Sequence, residues 1–490
     1  MFKKATAMLK AAVAFHYWRP AMKVWNLEKY KQNTAVIDEY GTRLTYGELQ
    51  AETGKLAENI PERSLVFSLC TNEFGSLLGY VAFLNNEIVP VMLNSHLEKE
   101  LLDNLLEAYK PSYVWLPVVQ KEEIPGDIVY EAKGYALVKT GYDKSFSLYE
   151  ELGLLLTTSG STGSPKLVRQ SYENILDNAK SIVEYLELDE NERPITTLPM
   201  NYTYGLSIIN SHLLVGATIL LTDKSIMQKE FWNFLKEEKA TSFGGVPYTY
   251  EILDKIRFMR MDLPFFKTMT QAGGKLTPDL HEKYAVWAEG CGKKFIVMYG
   301  QCEATARMGY LPADMSVKKK GSMGKAIPGG KFKLIDVDGK EITEPDITGE
   351  LVYEGKNVTL GYAEKGEDLI KGDERGGILV TGDMAKFDED GYYYIVGRKK
   401  RFLKIYGNRV NLDETDRLIK AKFDIDVACG GVDDHMYIFI TNGDIGTEVR
   451  NYVAETTKLN PAAFKVLVIE SIPKNDAGKT LYKELEKYYD

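Results

Sequence analysis

Short apolar runs alternate with segments of helical period through the first third of the chain. Ser64–Cys70 and Ile88–Leu93 read as buried strands, and the segment opening at Thr42-Arg-Leu-Thr-Tyr-Gly-Glu-Leu49 reads as a helix that continues through Leu56. Residues 21–150 are therefore expected to alternate short strands and helices. A further apolar run, Leu154-Leu-Leu156, gives way to a loop of hydroxyls and glycines closed by Pro165 and Lys166. Beyond it a helix is expected, with Ser171 as N-cap and Ile175, Ala179, Ile182 and Leu186 on one face, and then a strand at Ile195–Pro199. No internal repeat or low-complexity tract interrupts the pattern, which excludes a solenoid.

At 490 residues the chain exceeds a single typical core, so two domains, or one large domain with a satellite, are expected. A hydrophobic content of 44% is that of a globular protein. The net charge of −9 argues against nucleic acid as the main partner, because a phosphate backbone needs a basic face. Cysteines at 70, 291, 302 and 429 show neither CxxC spacing nor a paired framework. That points to a reducing compartment, the cytoplasm by default, without zinc or disulfides. No apolar run reaches the roughly eighteen residues of a transmembrane helix. Between Met1 and Pro20, Lys10 interrupts the apolar stretch, so a signal peptide fits poorly and a capping helix is preferred to a membrane-surface segment.

The loop after Leu156 carries the first candidate chemistry. Gly160 and Gly163 let backbone N–H groups approach anionic oxygens closely, and Lys166 supplies a cation. The hydroxyls of Thr157, Thr158, Ser159, Ser161, Thr162 and Ser164 add donors, so the stretch is suited to a polyphosphate. It is not a Walker loop, because Pro165 stands five residues after Gly160 and Lys166 is followed by Leu167. On composition alone the same residues also suit a Gly/Ser-rich surface turn.

Thr158-Ser-Gly-Ser-Thr-Gly-Ser-Pro-Lys166 closely resembles the phosphate loop of the adenylate-forming superfamily, which comprises acyl-CoA synthetases, aryl-acid ligases and adenylation domains that load carrier proteins. Leu167 replaces the glycine usual after the lysine. Further motifs resemble the same family in order, from about residue 40 to the end. In Met200-Asn-Tyr-Thr-Tyr-Gly-Leu206 the resemblance places Tyr202 where acyl-CoA synthetases usually carry a histidine, and Gly205 where α-amino-acid-activating members carry an aspartate. With Tyr204, these residues are expected either to line the substrate pocket or to form an aromatic core cluster. An ammonium buried without a counter-charge is expensive, so an α-amino acid is disfavoured as substrate.

Ser242-Phe-Gly-Gly-Val-Pro-Tyr-Thr-Tyr250, with Gly244 and Gly245, resembles the loop and helix start that line the acyl pocket in this family. Gln271-Ala-Gly-Gly274 offers the backbone of Gly273 and Gly274 to a flat base. Val297-Met-Tyr-Gly-Gln-Cys-Glu-Ala-Thr305 matches the family's Tyr-Gly-x-Thr-Glu, which implies Tyr299 stacking on adenine beside Gly300, and Glu303 holding Mg²⁺. Cys302 replaces the usual threonine, and a thiol is the poorer donor toward an α-phosphate.

Gly349-Glu-Leu351 through Gly361-Tyr362 resembles the family's small strand barrel. Thr381-Gly-Asp383, followed by Gly397-Arg398, matches its ribose site, where Asp383 would accept from both ribose hydroxyls and Arg398 would add donors. The basic run Arg398-Lys-Lys-Arg-Phe-Leu-Lys404 reads by itself as a solvated face, yet it resembles the family's inter-domain hinge, with Lys400 at the position that is Asp or Lys in relatives. Ile472-Pro-Lys-Asn-Asp-Ala-Gly-Lys479 resembles the loop carrying the catalytic lysine of adenylation.

The resemblance implies an α/β protein in two parts. Residues 1–397 would form a large N-terminal domain of mixed sheets with flanking helices and a small barrel, binding ATP and the acid. Residues 398–490 would form a small mobile α+β lid carrying Lys479. The implied reaction joins a carboxylic acid to a thiol through an acyl-adenylate, with ATP and Mg²⁺, and with Lys166, Glu303 and Lys479 as its charged groups. The acceptor would be coenzyme A or the phosphopantetheine of an acyl carrier protein, and spacing does not decide between them. A non-catalytic nucleotide-binding relative is the competing class, kept open by Cys302 and Tyr202.

Overall fold

The computed structural model describes residues 24–142, 146–157, 166–474 and 480–489. Within them the chain forms two compact units. One comprises the described residues up to Ser225 together with Asn233–Ala240 and Thr359–Glu374. The other comprises Ile226–Trp232, Thr241–Val358 and the described residues from Arg375 onward. The segment Met1–Pro20, read as a capping helix, lies outside the described residues.

The first unit is built on an eight-stranded sheet. Its neighbours run Gly361–Ala363, Leu167–Ser171, Leu152–Thr157, Val89–Asn94, Leu65–Cys70, Tyr113–Pro117, Tyr135–Thr140, Gly126–Ala132. The central pairings are parallel, which requires cover on both faces. The strand Leu65–Cys70 shows why its six residues are all buried. Leu65, Phe67 and Leu69 enter one apolar cluster while Val66 and Cys70 enter another on the opposite face. Helix Phe74–Asn85, buried along its whole length, covers the second face, and helix Lys99–Tyr109 covers the first with Leu102, Leu105, Leu106 and Tyr109. A Cβ on Gly79 would lie 2.4 Å from the Trp115 ring, so this helix approaches the sheet as closely as only glycine permits.

Two expected boundaries move for local reasons. The helix expected from Thr42 begins at Tyr46, because Thr45 caps it: the Glu48 amide donates to Thr45 Oγ1 at 3.2 Å and the Thr45 amide to Glu48 Oε2 at 2.7 Å. The preceding Arg43–Thr45 pairs instead with Thr34–Asp38. At Ile195–Pro199 the expected strand shrinks to a single bridge between Ile195 and Leu220. Pro194 and Pro199 bracket this stretch and lack the amide that a longer ladder needs.

The second unit begins with parallel strands Ser242–Gly245, Thr268–Gln271 and Lys294–Tyr299, extended by the antiparallel Gly309–Tyr310 and Lys325–Ala326. The region expected to hold the small barrel forms a five-stranded antiparallel sheet in the order Glu341–Ile342, Lys331–Ile335, Gly349–Glu354, Ile378–Phe387, Tyr393–Arg398. Gly361–Ala363, expected with it, pairs with Leu167–Ser171 in the first unit. From Leu403 onward the chain has an apolar core of its own, in which Leu403, Ile419, Ile438 and Val449 meet. It is built from the hairpin Phe402–Ile405/Asn408–Asn411, the strands Val427–Val432, His435–Ile440 and Phe464–Val468, and helices Leu412–Phe423 and Gly446–Thr457.

Candidate active site

The Gly/Ser loop is tied at its base. Strand Leu152–Thr157 runs antiparallel to Leu167–Ser171, with Thr157 opposite Leu167. The loop therefore enters a strand before the helix, where the sequence suggested a direct passage to the helix. The reason is burial: Leu167 and Arg169 are sequestered in the sheet. Arg169 donates to the carbonyls of Tyr362 (3.0 Å) and Leu360 (3.3 Å) and pairs with Glu374. Helix Tyr172–Leu186 then starts as expected, since Asn174 N–H donates to Ser171 Oγ at 3.0 Å and Ser171 N–H to Asn174 Oδ1 at 2.8 Å. Thr158, Ser159, Gly160, Ser161, Thr162 and Gly163 themselves lie outside the described residues, as does Lys479. Lys166 is described: its ammonium stands 3.6 Å from the centroid of the Tyr362 ring, a cation–π contact.

Tyr202 and Tyr204 meet edge to face, their centroids 6.3 Å apart, at the start of helix Thr203–Val215. Gly205 is set by packing. A Cβ there would lie 2.4 Å from the Pro199 carbonyl oxygen and 3.0 Å from that of Leu198, so any side chain would force the backbone to shift. The lack of a carboxylate at Gly205 thus follows from the close approach of the helix to residues 198–199.

In the second unit three glycine-bearing turns follow the carboxyl ends of adjacent parallel strands, the usual position of ligand sites in open α/β sheets. Gly244 and Gly245 end the first strand, opposite Thr270 and Gln271 of the next. Gly273, at φ +83°, and Gly274 follow the second, braced by Gln271 Nε2, which donates to the carbonyls of Ala272 (3.2 Å) and Gly274 (2.8 Å). Tyr299 and Gly300 end the third. At Gly300 any Cβ would collide with the carbonyl of Ala306, because the turn folds directly back over it.

That turn holds a linked set of polar groups. Tyr299 Oη donates to Asp383 Oδ2 at 2.5 Å, and Gln301 Nε2 donates to the same oxygen at 2.9 Å and to the Thr381 carbonyl at 3.1 Å. The register of the five-stranded sheet sets Asp383 opposite Arg398, whose Nε lies 3.6 Å from Asp383 Oδ1. Burial raises the Asp383 carboxyl above its ordinary range, against the lowering effect of Tyr299, Arg398 and Gln301. The same desolvation, together with the Asp383 charge, pushes the Tyr299 phenol far up. Glu303 and the buried Cys302 lie in the short 3-10 turn Cys302–Ala304. Thr305 and Ala306 follow at φ +53° and +95°, strained values for residues bearing a Cβ.

No group of three or more His, Cys, Asp or Glu side chains able to hold a metal ion occurs among the described residues. Mg²⁺ carried on nucleotide phosphates needs only one or two protein carboxylates, so Glu303 alone suits it. Among the described residues no helix is long and apolar enough to cross a membrane.

Gln301, Asn357 and Arg375 were not singled out in the sequence. Gln301 occupies the variable position of its motif, and the other two lie in loops without a motif of their own. In the basic run, Arg401 is not on a solvated face. Its Nε donates to Asp413 Oδ1 and an amino group to Asp416 Oδ2, both at 2.8 Å, and its guanidinium stacks 3.6 Å from the Tyr482 ring centroid. Burial pushes the Asp416 carboxyl up to about 6 despite Arg401. Lys400, between the exposed Arg398 and the anchored Arg401, is itself exposed in the turn Lys399–Arg401.

The AMP-binding enzyme family model matches residues 24–363, and the chain belongs to that family. Oxalate–CoA ligase of Arabidopsis thaliana is 30% identical over 341 residues, 66% of this chain and 65% of the relative. A 2-succinylbenzoate–CoA ligase of Bacillus mycoides is 27% identical over 425 residues, 81% of this chain and 83% of the relative. The fold matches o-succinylbenzoate CoA synthetase of Bacillus subtilis in complex with its acyl-adenylate intermediate, with a TM-score of 0.77 at 21% identity, over 94% of this chain and 97% of that one.

Proposed function

We propose that the protein activates a carboxylic acid with ATP and passes the acyl group to the thiol of coenzyme A. The observation that carries this reading is the buried Asp383 carboxylate, held by Tyr299 and Gln301 and facing Arg398, within a chain of the AMP-binding family. Asp383 is the ribose acceptor, with Tyr299 and the Gly273–Gly274 turn beside the adenine. The loop Thr158–Gly163 and Lys166 hold the β- and γ-phosphates. Mg²⁺ on Glu303 would neutralise phosphate charge.

The substrate carboxylate attacks the α-phosphorus, pyrophosphate leaves, and the acyl-adenylate is then attacked at its carbonyl carbon by the thiolate, releasing AMP. No protein nucleophile is needed, so positioning and charge carry the catalysis. Lys479 supplies the cation between carboxylate and α-phosphate. Residues 398–490 act as a lid turning about Lys400, a reading supported by their separate apolar core and by the exposure of Lys400 in a short turn before the anchored Arg401. Relatives named as CoA ligases favour coenzyme A over a carrier protein as acceptor.

The test is ATP–pyrophosphate exchange across a panel of carboxylic acids lacking an α-amino group, followed by thioester formation with coenzyme A. Exchange with no acid of the panel would overturn the reading. Exchange without transfer to coenzyme A, but with transfer to a pantetheinylated carrier, would replace the acceptor.

A further inference from the structure

The turn that carries Glu303 is strained, although the amides of Ala304 and Ala306 donate to the Gln301 carbonyl and that of Thr305 to the Cys302 carbonyl. Two consecutive residues with side chains, Thr305 and Ala306, have positive φ. The chain then returns over Gly300 so that the Met308 amide donates to the Tyr299 carbonyl at 2.8 Å. A conformation of this kind persists only where its surroundings over-determine it.

One buried side chain from outside the turn reaches both sides of the strained pair. Asn357, 1% exposed, donates through Nδ2 to the carbonyls of Ala304 at 2.7 Å and Arg307 at 3.0 Å, on either side of the strained pair. Its Oδ1 accepts from Tyr353 Oη at 2.8 Å, which fixes the amide orientation, and its backbone carbonyl accepts from Thr305 Oγ1 at 2.7 Å. Both amide hydrogens and the amide oxygen are used, and two of the four contacts reach carbonyls that ordinary turn bonding leaves open. Arg375 adds one donor, to the Glu303 carbonyl at 2.9 Å.

We propose that Asn357 is a positioning residue that holds the Tyr299–Glu303 turn in its nucleotide- and metal-binding shape. It touches neither substrate nor metal and acts by keeping Thr305 and Ala306 in the left-handed region, which aims Tyr299 and Glu303. The proposal rests on the reading of that turn as the Mg²⁺–ATP site. It also makes a claim that a space-filling role does not: the cost of losing Asn357 depends on the strain at Ala306.

The experiment is a double-mutant cycle on the full chain, reading Mg²⁺–ATP affinity by calorimetry well below the melting temperature, with the melting temperature measured in parallel. Asn357→Ala is expected to weaken Mg²⁺–ATP binding by about tenfold or more, the scale of lost bonds to buried carbonyls. Ala306→Gly, which adopts φ +95° without strain, is expected to bind near wild type. The double variant is expected to recover at least about threefold of the loss, a coupling of the size found between residues in one network. Losses that simply multiply, or an Asn357→Ala variant that melts lower yet binds Mg²⁺–ATP as wild type does, would overturn the proposal. Should Asn357→Ala fail to fold, Asn357→Asp keeps the volume and the acceptor for Tyr353 while removing both amide donors, and the same rescue by Ala306→Gly is required of it. A wild-type chain that binds no Mg²⁺–ATP would instead refute the functional reading.

Discussion

The hydroxyl of Tyr299 and the carboxylate of Asp383, 84 residues apart, share a hydrogen bond of 2.5 Å. It joins the end of a parallel strand to the middle of an antiparallel one, and so unites two motifs that are separate in the sequence. One oxygen of Asp383 is engaged by Tyr299 and Gln301, while the other faces Arg398.

Asp383 is costly to the fold. Because burial raises its carboxyl pKa above the unfolded value, the folded state binds that proton more tightly than the unfolded chain does. Ionised Asp383 therefore destabilises the protein above its folded pKa, and the penalty disappears as pH falls below the ordinary carboxylate range. Asp383→Asn is expected to melt higher than wild type at neutral pH, to lose that advantage in acid, and to bind ATP at least about tenfold more weakly. Melting curves across pH with calorimetric ATP titration check it, and a variant less stable than wild type at neutral pH would contradict it.

Lys479→Ala is expected to abolish acid-dependent pyrophosphate exchange while leaving ATP binding largely intact. Loss of a transition-state cation raises the barrier by several kcal/mol, on the order of 3 or more. Exchange within a few-fold of wild type would remove Lys479 from the mechanism.

Cys302→Thr is expected to be tolerated or to improve adenylation, because a hydroxyl is the better donor beside an α-phosphate. Steady-state kinetics of this one variant decide it. A large loss would assign the thiol a role of its own.

Gly205→Ala is expected to cost about 1–3 kcal/mol of stability, since its Cβ would meet the Pro199 carbonyl oxygen at 2.4 Å. Chemical denaturation measures this directly. Unchanged stability with a raised KM for the acid would instead place Gly205 against the substrate.

Lys400→Pro is expected to retain pyrophosphate exchange and to lose thioester formation from preformed acyl-adenylate, because proline fixes φ where the lid would turn. Equal losses in both half-reactions, or intact thioester formation, would argue against a hinge at this residue.

Local patterns were enough to find many of the pieces. The buried strands at Leu65–Cys70 and Val89–Asn94 are legible because a strand covered on both faces must be apolar throughout. The cap at Ser171 is legible because capping chemistry is confined to four consecutive residues. Motif order raised the expectation that Tyr299, Glu303 and Asp383 belong together, and the fold brings two of them, Tyr299 and Asp383, within hydrogen-bond distance. What the sequence could not determine depends on residues far apart in the chain. It did not show that Leu167–Ser171 would be a strand, since that follows from Arg169 reaching carbonyls about 200 residues away. The reason for a glycine at 205 lay in the backbone of Pro199, and the support of the Glu303 turn in Asn357, more than 50 residues onward. Hydrogen bonds to backbone carbonyls leave no signature in side-chain spacing, because every residue offers the same acceptor, and only the folded chain selects which one is reached.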